Sequence, residues 1–394
     1  MLAIIDTHPI QYRAPVYRTL STEIGIPITV IYGSDFSVVG YKDQEFGAKF
    51  AWDTDLLSGY SSKFLSHVKT GGAQSFEEVS AQGLAATLRE VQPTALLITG
   101  YNHRLYQAAL YQGWKLQIPM LFRGETTDHA IKRNKIKSWI RDRTLSLVYQ
   151  SCSKLLYIGQ NSQRHFQRLG LSDTKLVFSP YCVNTQSFQL KATDRKLLRN
   201  TTREQLGIAN TEKVLLFSGK LSYRKGVDLI LSAIEKLPEE IKNQLVVLFL
   251  GNGELKAQLE KQAESLPNTK VHFLGFQNQT QLSNYYHAAD ILVLPSRYSE
   301  TWGLVVNEAL HHGLPCIVSQ SVGCTLDLVK PGVTGNIFAT NSIDSLAKTI
   351  EDSLCLCSNS EIQEQCQLQV SNYSVKKAAE GIAQAYSSLS KETK

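Results

Sequence analysis

The chain has 394 residues, 43% of them apolar and 19% charged, with a formal net charge of +6. This length allows two domains with separate cores, and the composition excludes a disordered or fibrous chain. No apolar run approaches the ~18–20 residues of a membrane-spanning helix, and the modest positive charge suits anionic lipids or phosphorylated substrates without requiring nucleic acid.

In chain order, MLAIIDTHPI reads as a strand and a turn, which argues against a signal peptide. Strands are expected at Ala3–Ile5, Ile28–Tyr32, Ala95–Thr99, Met120–Arg123, Lys154–Ile158 and Lys175–Phe178. Helices are expected at Pro15–Leu20, Phe76–Val91, Tyr106–Gln112, Lys137–Gln150 and Ser162–Leu169, with Phe36–Thr70 left as a long excursion facing a cleft. After a polar, basic connection the pattern restarts with strands at Val214–Ser218, Leu245–Leu250, Val271–Leu274, Ile291–Leu294, Cys316–Ser319 and Asn336–Phe338. Alternating strands and helices in both halves predict two doubly wound α/β sheets with a cleft between their carboxyl edges. The expected domains are 1–185 and 186–372, with 373–394 as a C-terminal helix packing back on the first. Seven cysteines without metal-ligand spacing fit a reducing cytosol better than a disulfide framework; Cys355 and Cys357 read as ordinary small residues.

The chemistry concentrates in turns that follow second-half strands. In FSGKLSYRKG, Gly219 opens a loop where Lys220, Arg224 and Lys225 crowd the start of a helix, an arrangement suited to a diphosphate or, alternatively, a solvated basic loop. In FLGNGE, Gly251 and Gly253 permit close backbone approach to a base or ribose, or simply make a tight turn; the third glycine of a dinucleotide fingerprint is missing. Phe276 offers an aromatic edge to a base, or caps the sheet. Finally, SETWGLVVNEALHHGLP places Glu300 on a loop and Glu308 about one turn inside a Leu304–His312 helix closed by Gly313, with Thr301, Trp302 and Gly303 forming the turn. Amides at such a turn hold an anion or a polar sugar while two carboxylates accept bonds from hydroxyls.

These segments together resemble a family 4 glycosyltransferase, a retaining family of GT-B architecture. The match runs in order through GKLSYRKG, GNGE, FLGF, ADILVLPS, E-x7-E with EALHHGLP, SQSVG and PGVTGNIF. The resemblance implies that Glu308 holds ribose hydroxyls, Glu300 meets the donor sugar, and Lys225 binds diphosphate together with Lys220, where the family usually has arginine. It also implies backbone contacts to phosphate or sugar from Trp302, Gly303 and Leu304. The first half departs from the family: DTHPIQYRAPVYR replaces a glycine-rich loop, so His8, Tyr12 and Arg13 are expected on the acceptor side. Many members carry a histidine near the place of Arg123 and Glu125; here His129 lies four residues beyond Glu125, and Glu125 and Asp128 are candidates to orient an acceptor or to pair with Arg123.

Between Lys132 and Val148, six cations are mixed with Ile136, Trp139, Ile140, Leu147 and Val148. Such a helix suits an anionic membrane surface, or packs its apolar stripe on its own sheet. The expected location is therefore the cytoplasm or the inner face of the plasma membrane. The expected function is transfer of a hexose from a UDP-, GDP- or ADP-sugar to a glycan or lipid-linked acceptor, in cell-surface polysaccharide or glycolipid synthesis, without metal or cofactor. The rival readings are a non-catalytic nucleotide-sugar-binding subunit and, less favoured, an epimerase.

Overall fold

A computed structural model describes residues 1–39, 41–42, 49–50, 54–126, 128, 134–188, 191–357 and 359–392. In the first domain the strands are β1 (Leu2–Asp6), β2 (Ile28–Tyr32), β3 (Ser61–Phe64), β4 (Ala95–Ile98), β5 (Met120–Arg123), β6 (Lys154–Tyr157) and β7 (Leu176–Phe178). They form one parallel sheet in the order β3-β2-β1-β4-β5-β6-β7. The main helices are α1 (Ala14–Thr22), α2 (Leu84–Val91), α3 (Arg104–Lys115), α4 (Lys135–Gln150) and α5 (Gln160–Arg168). Their apolar sides cover both faces of the sheet, and β1 and β4 are buried throughout their length. Continuous burial on two faces explains why these strands are unbroken apolar runs rather than alternating ones.

Two elements differ from expectation. The helix expected from Phe76 begins only at Leu84, because Gly83 at its N-cap adopts φ 85°, a left-handed conformation that interrupts any earlier helical run. Part of the expected excursion is an ordered edge strand: β3 pairs with Thr29–Tyr32, and its Lys63 binds Glu90 at 2.6 Å. Its polar composition, SSKF, hides it because an edge strand needs to bury only one side.

The second domain holds β8 (Lys213–Ser218), β9 (Leu245–Leu250), β10 (Lys270–Gly275), β11 (Ile291–Leu294), β12 (Cys316–Ser319) and β13 (Gly335–Phe338), all parallel, in the order β10-β9-β8-β11-β12-β13. Its helices are α6 (Ala192–Gln205), α7 (Asp228–Glu235), α8 (Lys256–Glu264), α9 (Gln279–Ala288), α10 (Leu304–His311), α11 (Ile343–Ser353) and α12 (Ser360–Val370). In each sheet the strand order reverses beside the first strand, which opens a crevice at the carboxyl ends there.

The chain passes between the domains twice. On the first crossing, the buried Arg123 guanidinium bonds the carbonyls of Ser179 (3.3 Å) and Pro180 (2.8 Å). On the second, α13 (Val375–Glu392) returns from the second domain to lie along α1, β6 and β7. A Cβ at Gly381 would sit 2.1 Å from the carbonyl oxygen of Phe178, so only glycine lets this helix approach so closely. The two crossings bridge to each other at Val183 and Ser374.

Candidate active site

The turns leaving the second sheet are stitched together in strand order. Gly251 donates its amide to the carbonyl of Gly275 (2.8 Å), Gly219 to Leu250 (2.9 Å), and Leu221 to Asn252 (3.0 Å). Arg297 donates to the carbonyl of Arg224 (2.9 Å), and Gly323 to that of Glu300 (3.0 Å). Five loops therefore form one continuous rim. The glycines serve this stitching: a Cβ on Gly251 would lie 1.9 Å from the Gly219 oxygen, and one on Gly253 would lie 2.4 Å from the Leu221 oxygen. Their absent side chains let the neighbouring loops pack edge to edge, as the tight-turn reading of these glycines requires. Phe276 is half-buried at the far end of this rim, after the left-handed Gly275 (φ 68°).

Lys225, in the short turn Tyr223–Lys225, ion-pairs with Glu300. Ser296 donates to the same carboxylate oxygen at 2.9 Å. Ser299, just before Glu300, is held at φ 58°, an uncommon conformation for a residue with a side chain. Lys220 lies half-buried in the same loop, and Arg224 reaches the carbonyl of Ser299 at 3.5 Å. Arg297 forms a bidentate pair with Asp228, both contacts 2.7 Å, and donates to the Tyr223 carbonyl at 2.8 Å, which fastens the loop after β11 to the first turn of α7 and to the basic loop.

Glu308 is buried in α10, where it accepts 2.7 Å from the Tyr286 hydroxyl. Burial and the Glu308 charge push the Tyr286 phenol well above its ordinary pKa, so it stays a donor. Tyr286 is absent from the sequence reading; an aromatic in NYYHAAD carries no signal of its partner. Gly303, with φ 99°, starts α10, so the amides of Leu304 and Val305 have no intrahelical acceptor, while that of Val306 bonds the Gly303 carbonyl at 2.9 Å. The Trp302 side chain is not on the cleft. It is buried, donates to Asn307 at 2.7 Å, and fills the junction against Tyr373 and Gly159, where a Cβ would lie 2.3 Å from the indole.

Opposite this rim, the first domain presents a cavity of about 510 Å³ at the carboxyl ends of β1, β4 and β5. His8, Arg13, Phe76, Tyr101 and Glu125 line it, and Thr301 of the second domain closes one side. Glu125 spans the two domains: Arg13 (3.2 Å) and Tyr181 hold one oxygen, and the Thr301 hydroxyl approaches the other at 3.4 Å. Arg13 is anchored by Asp6 (2.7 Å), a fully buried carboxylate that also accepts from Tyr17 (2.9 Å) and Tyr106 (3.1 Å). Asp6 is a residue the sequence could have shown, since an acid ending a buried strand requires partners. Burial lowers the His8 imidazole to a pKa of about 4, so it is neutral at physiological pH; it packs on Phe36 with ring centres 4.5 Å apart.

Two acceptor-side expectations change. Arg123 is committed to the first crossing and is not a cleft residue. Asp128 binds His165 (2.8 Å) and Arg168 (2.7 Å), so it orders α5 and not an acceptor, and neither it nor Glu125 pairs with Arg123. Burial first, and then the nearby charge of Glu308, raise the pKa of the Tyr12 phenol, which keeps it a neutral donor within electrostatic reach of the second domain. His129 lies outside the described residues.

Residues 199–367 match the family model described as glycosyl transferases group 1. That match takes in most of the second domain and less than half of the chain. An uncharacterized glycosyltransferase of Methanocaldococcus jannaschii is 37% identical over 146 residues, 37% of this chain and 36% of that protein. The lipopolysaccharide 1,2-N-acetylglucosaminetransferase of Salmonella typhimurium is 28% identical over 225 residues, 54% of this chain and 56% of that protein. These matches span from about a third to just over half of the relatives' own length. HepE of Anabaena, solved with UDP, superposes over 98% of this chain and 99% of its own at a TM-score of 0.70 and 18% identity. The domain carrying the group 1 match is thus one half of a GT-B fold, and the first domain is the other.

Proposed function

We propose that this protein is a retaining glycosyltransferase that moves a hexose from a nucleoside diphosphate sugar to a glycan or lipid-linked acceptor, in cell-surface polysaccharide or glycolipid synthesis. The observation carrying this reading is that Lys225–Glu300, Tyr286–Glu308 and the α10 amides share one rim facing the cavity of His8 and Glu125. Glu308 takes the ribose hydroxyls and Glu300 a donor-sugar hydroxyl. Lys220, Lys225 and the first-turn amides stabilise charge building on the leaving diphosphate, as preorganised donors do at a developing anion. Two lysines there supply the positive charge, so the reaction proceeds without a divalent ion. The acceptor hydroxyl, oriented by Glu125, attacks C1 from the face the diphosphate leaves; the C1–O bond to phosphate breaks, and the hydroxyl proton passes to the leaving phosphate oxygen.

The test is thermal stability against UDP, GDP and ADP; HepE, solved with UDP and also with UDP-glucose, makes UDP the first choice. At ~100 times its dissociation constant the right nucleotide adds about 2.7 kcal/mol. Glu308→Ala should abolish the shift. No shift with any nucleotide sinks the donor site.

The lipid part of this reading rests on α4. Ile136, Trp139, Ile140 and Leu147 are 72%, 62%, 53% and 69% exposed and face outward, whereas Val148 packs with Leu145 and Tyr149 on the first-domain core. Lys137 and Arg143 are exposed beside it, with the Arg143 guanidinium 5.7 Å from the Trp139 ring centre, and α3 adds the exposed Tyr111 and Trp114. Apolar side chains flanked by cations suit an anionic bilayer surface. The protein should co-sediment with phosphatidylglycerol vesicles but not with phosphatidylcholine alone, and Trp139→Ser with Ile140→Ser should remove binding. Equal recovery with both lipids, or with neither, rejects it.

A further inference from the structure

At the end of the second sheet opposite the cleft lies a second cavity, of about 420 Å³. One wall is α6, which presents Arg195, Lys196 and Arg199. The other is α12, which presents Ser360, Gln363, Glu364 and Gln367 at helical spacing on one face. His287, His312 and Tyr286 form the floor.

The cations differ in how they are held. Arg199 is fixed, giving its Nη1 to the carbonyls of His287 (2.9 Å) and Ala289 (2.7 Å) and its Nη2 to Asp290 (2.6 Å). Asp290 is further neutralised by the buried Arg203 at 2.6 Å. Arg195 and Lys196 have no ion-pair partner among the described residues, and the charge of Arg195 is felt at both His287 and His312. His287 is buried, and its Nε2 has no hydrogen-bond partner. Arg195, Lys196 and Arg199 against Asp290 and Glu364 leave the lining with a net positive charge, which favours an anion. The hydroxyl and amide groups on the facing helix suit a polyhydroxylated body attached to it, and the volume suits one hexose.

The floor also touches the donor edge. Tyr286 lines this cavity and holds Glu308 through its hydroxyl, while His312 stacks on the Tyr286 ring (4.9 Å) and contacts the Glu308 carbonyl at 2.7 Å. We propose that this cavity is a second ligand site, for a hexose phosphate monoester, and that its occupancy is transmitted to the nucleotide site through Tyr286 and His312. The binding part stands on the cavity alone; the coupling part rests on the donor-site reading above.

Calorimetric titration of the full chain with glucose 6-phosphate, inorganic phosphate and glucose tests the first part. Glucose 6-phosphate should bind, phosphate more weakly, and glucose not at all. Arg195→Ala with Lys196→Ala should weaken the sugar phosphate about tenfold or more, as expected for two lost charge contacts. Lys225→Ala should leave its affinity within about twofold, because an unrelated charge outside the site has little effect. The reverse pattern would place the ligand on the donor rim and overturn the proposal, as would no binding of either phosphate by a chain that binds UDP. For the second part, saturating glucose 6-phosphate should change the UDP dissociation constant about fivefold or more in the wild type and not in the double variant. An unchanged UDP constant overturns the coupling. If the sugar phosphate binds in the expected pattern and UDP does not bind, the cavity site stands and the donor assignment falls.

Discussion

Lys225→Ala is expected to lower kcat/KM about 10²–10³-fold, the usual cost of losing one preorganised donor at a developing anion. The lysine comes from a turn fixed on both sides, by Arg297–Asp228 and by the amide of Arg297 on the Arg224 carbonyl. It is therefore held over the rim before any ligand arrives, with Glu300 as its resting partner. On the reading proposed above, a phosphate oxygen takes the place of Glu300 at Lys225 and Glu300 turns to the donor sugar, so one substitution disturbs both groups. Lys225→Arg should recover only part of the rate, since a planar fork does not reproduce a point charge on a short tether. Steady-state rates with the donor that shifts the melting temperature provide the measurement. A variant within about threefold of wild type would remove Lys225 from the machinery, because a direct contact to the leaving group is worth far more.

The second large effect concerns folding. Asp6→Ala should destabilise the protein by about 3–5 kcal/mol, the range for breaking a buried ion pair from one side. Asp6 is fully buried and accepts from Arg13, Tyr17, Tyr106 and the Thr7 amide. Without it the Arg13 guanidinium keeps Thr99 and Glu125 but loses its strongest counter-charge, and two phenols lose their acceptor. Urea unfolding followed by circular dichroism gives the value. A loss below about 1 kcal/mol would mean that the network relaxes around a water or a substitute partner. Asp6→Asn should cost less, since it keeps the shape and the acceptor oxygen while removing the charge.

The fold was largely legible because both sheets are parallel and buried on two faces, which turns strands such as Leu245–Leu250 into unbroken apolar runs. The edge strand Ser61–Phe64 escaped for the converse reason. The rim of turns on the second sheet could be read because its residues lie in short turns directly after those runs, so sequence neighbours are spatial neighbours. The first-domain cavity was legible only in part: His8, Arg13 and Glu125 were expected together, but Asp6, Tyr106 and Tyr181 join them only through three-dimensional packing of separate segments. Arg123 shows the limit well: a cation at a strand end beside a cleft motif looked like a site residue, yet its donors are consumed by backbone carbonyls. The α4 stripe shows another limit. Helical spacing locates an apolar face but does not say whether that face turns toward the sheet or away from it.

The paired crossings at Val183 and Ser374 restrict how the molecule can open. A single linker acts as a swivel, free to bend and to twist. Two chain segments running side by side, the second fastened along the first domain by α13, act as a narrow leaf spring: they flex readily in one plane and resist torsion. Nearby, the Asp327 carboxylate accepts from the Gln160 amide at 3.0 Å and from the Tyr373 hydroxyl at 2.8 Å, so the spring is clamped close to its line of flexure. Opening is thereby reduced to one angular coordinate, with the smallest displacement beside Trp302 and the largest at the mouth of the cleft. Glu125 and Thr301 can separate and meet again in the same alignment, without a search over relative orientations each time the substrates change.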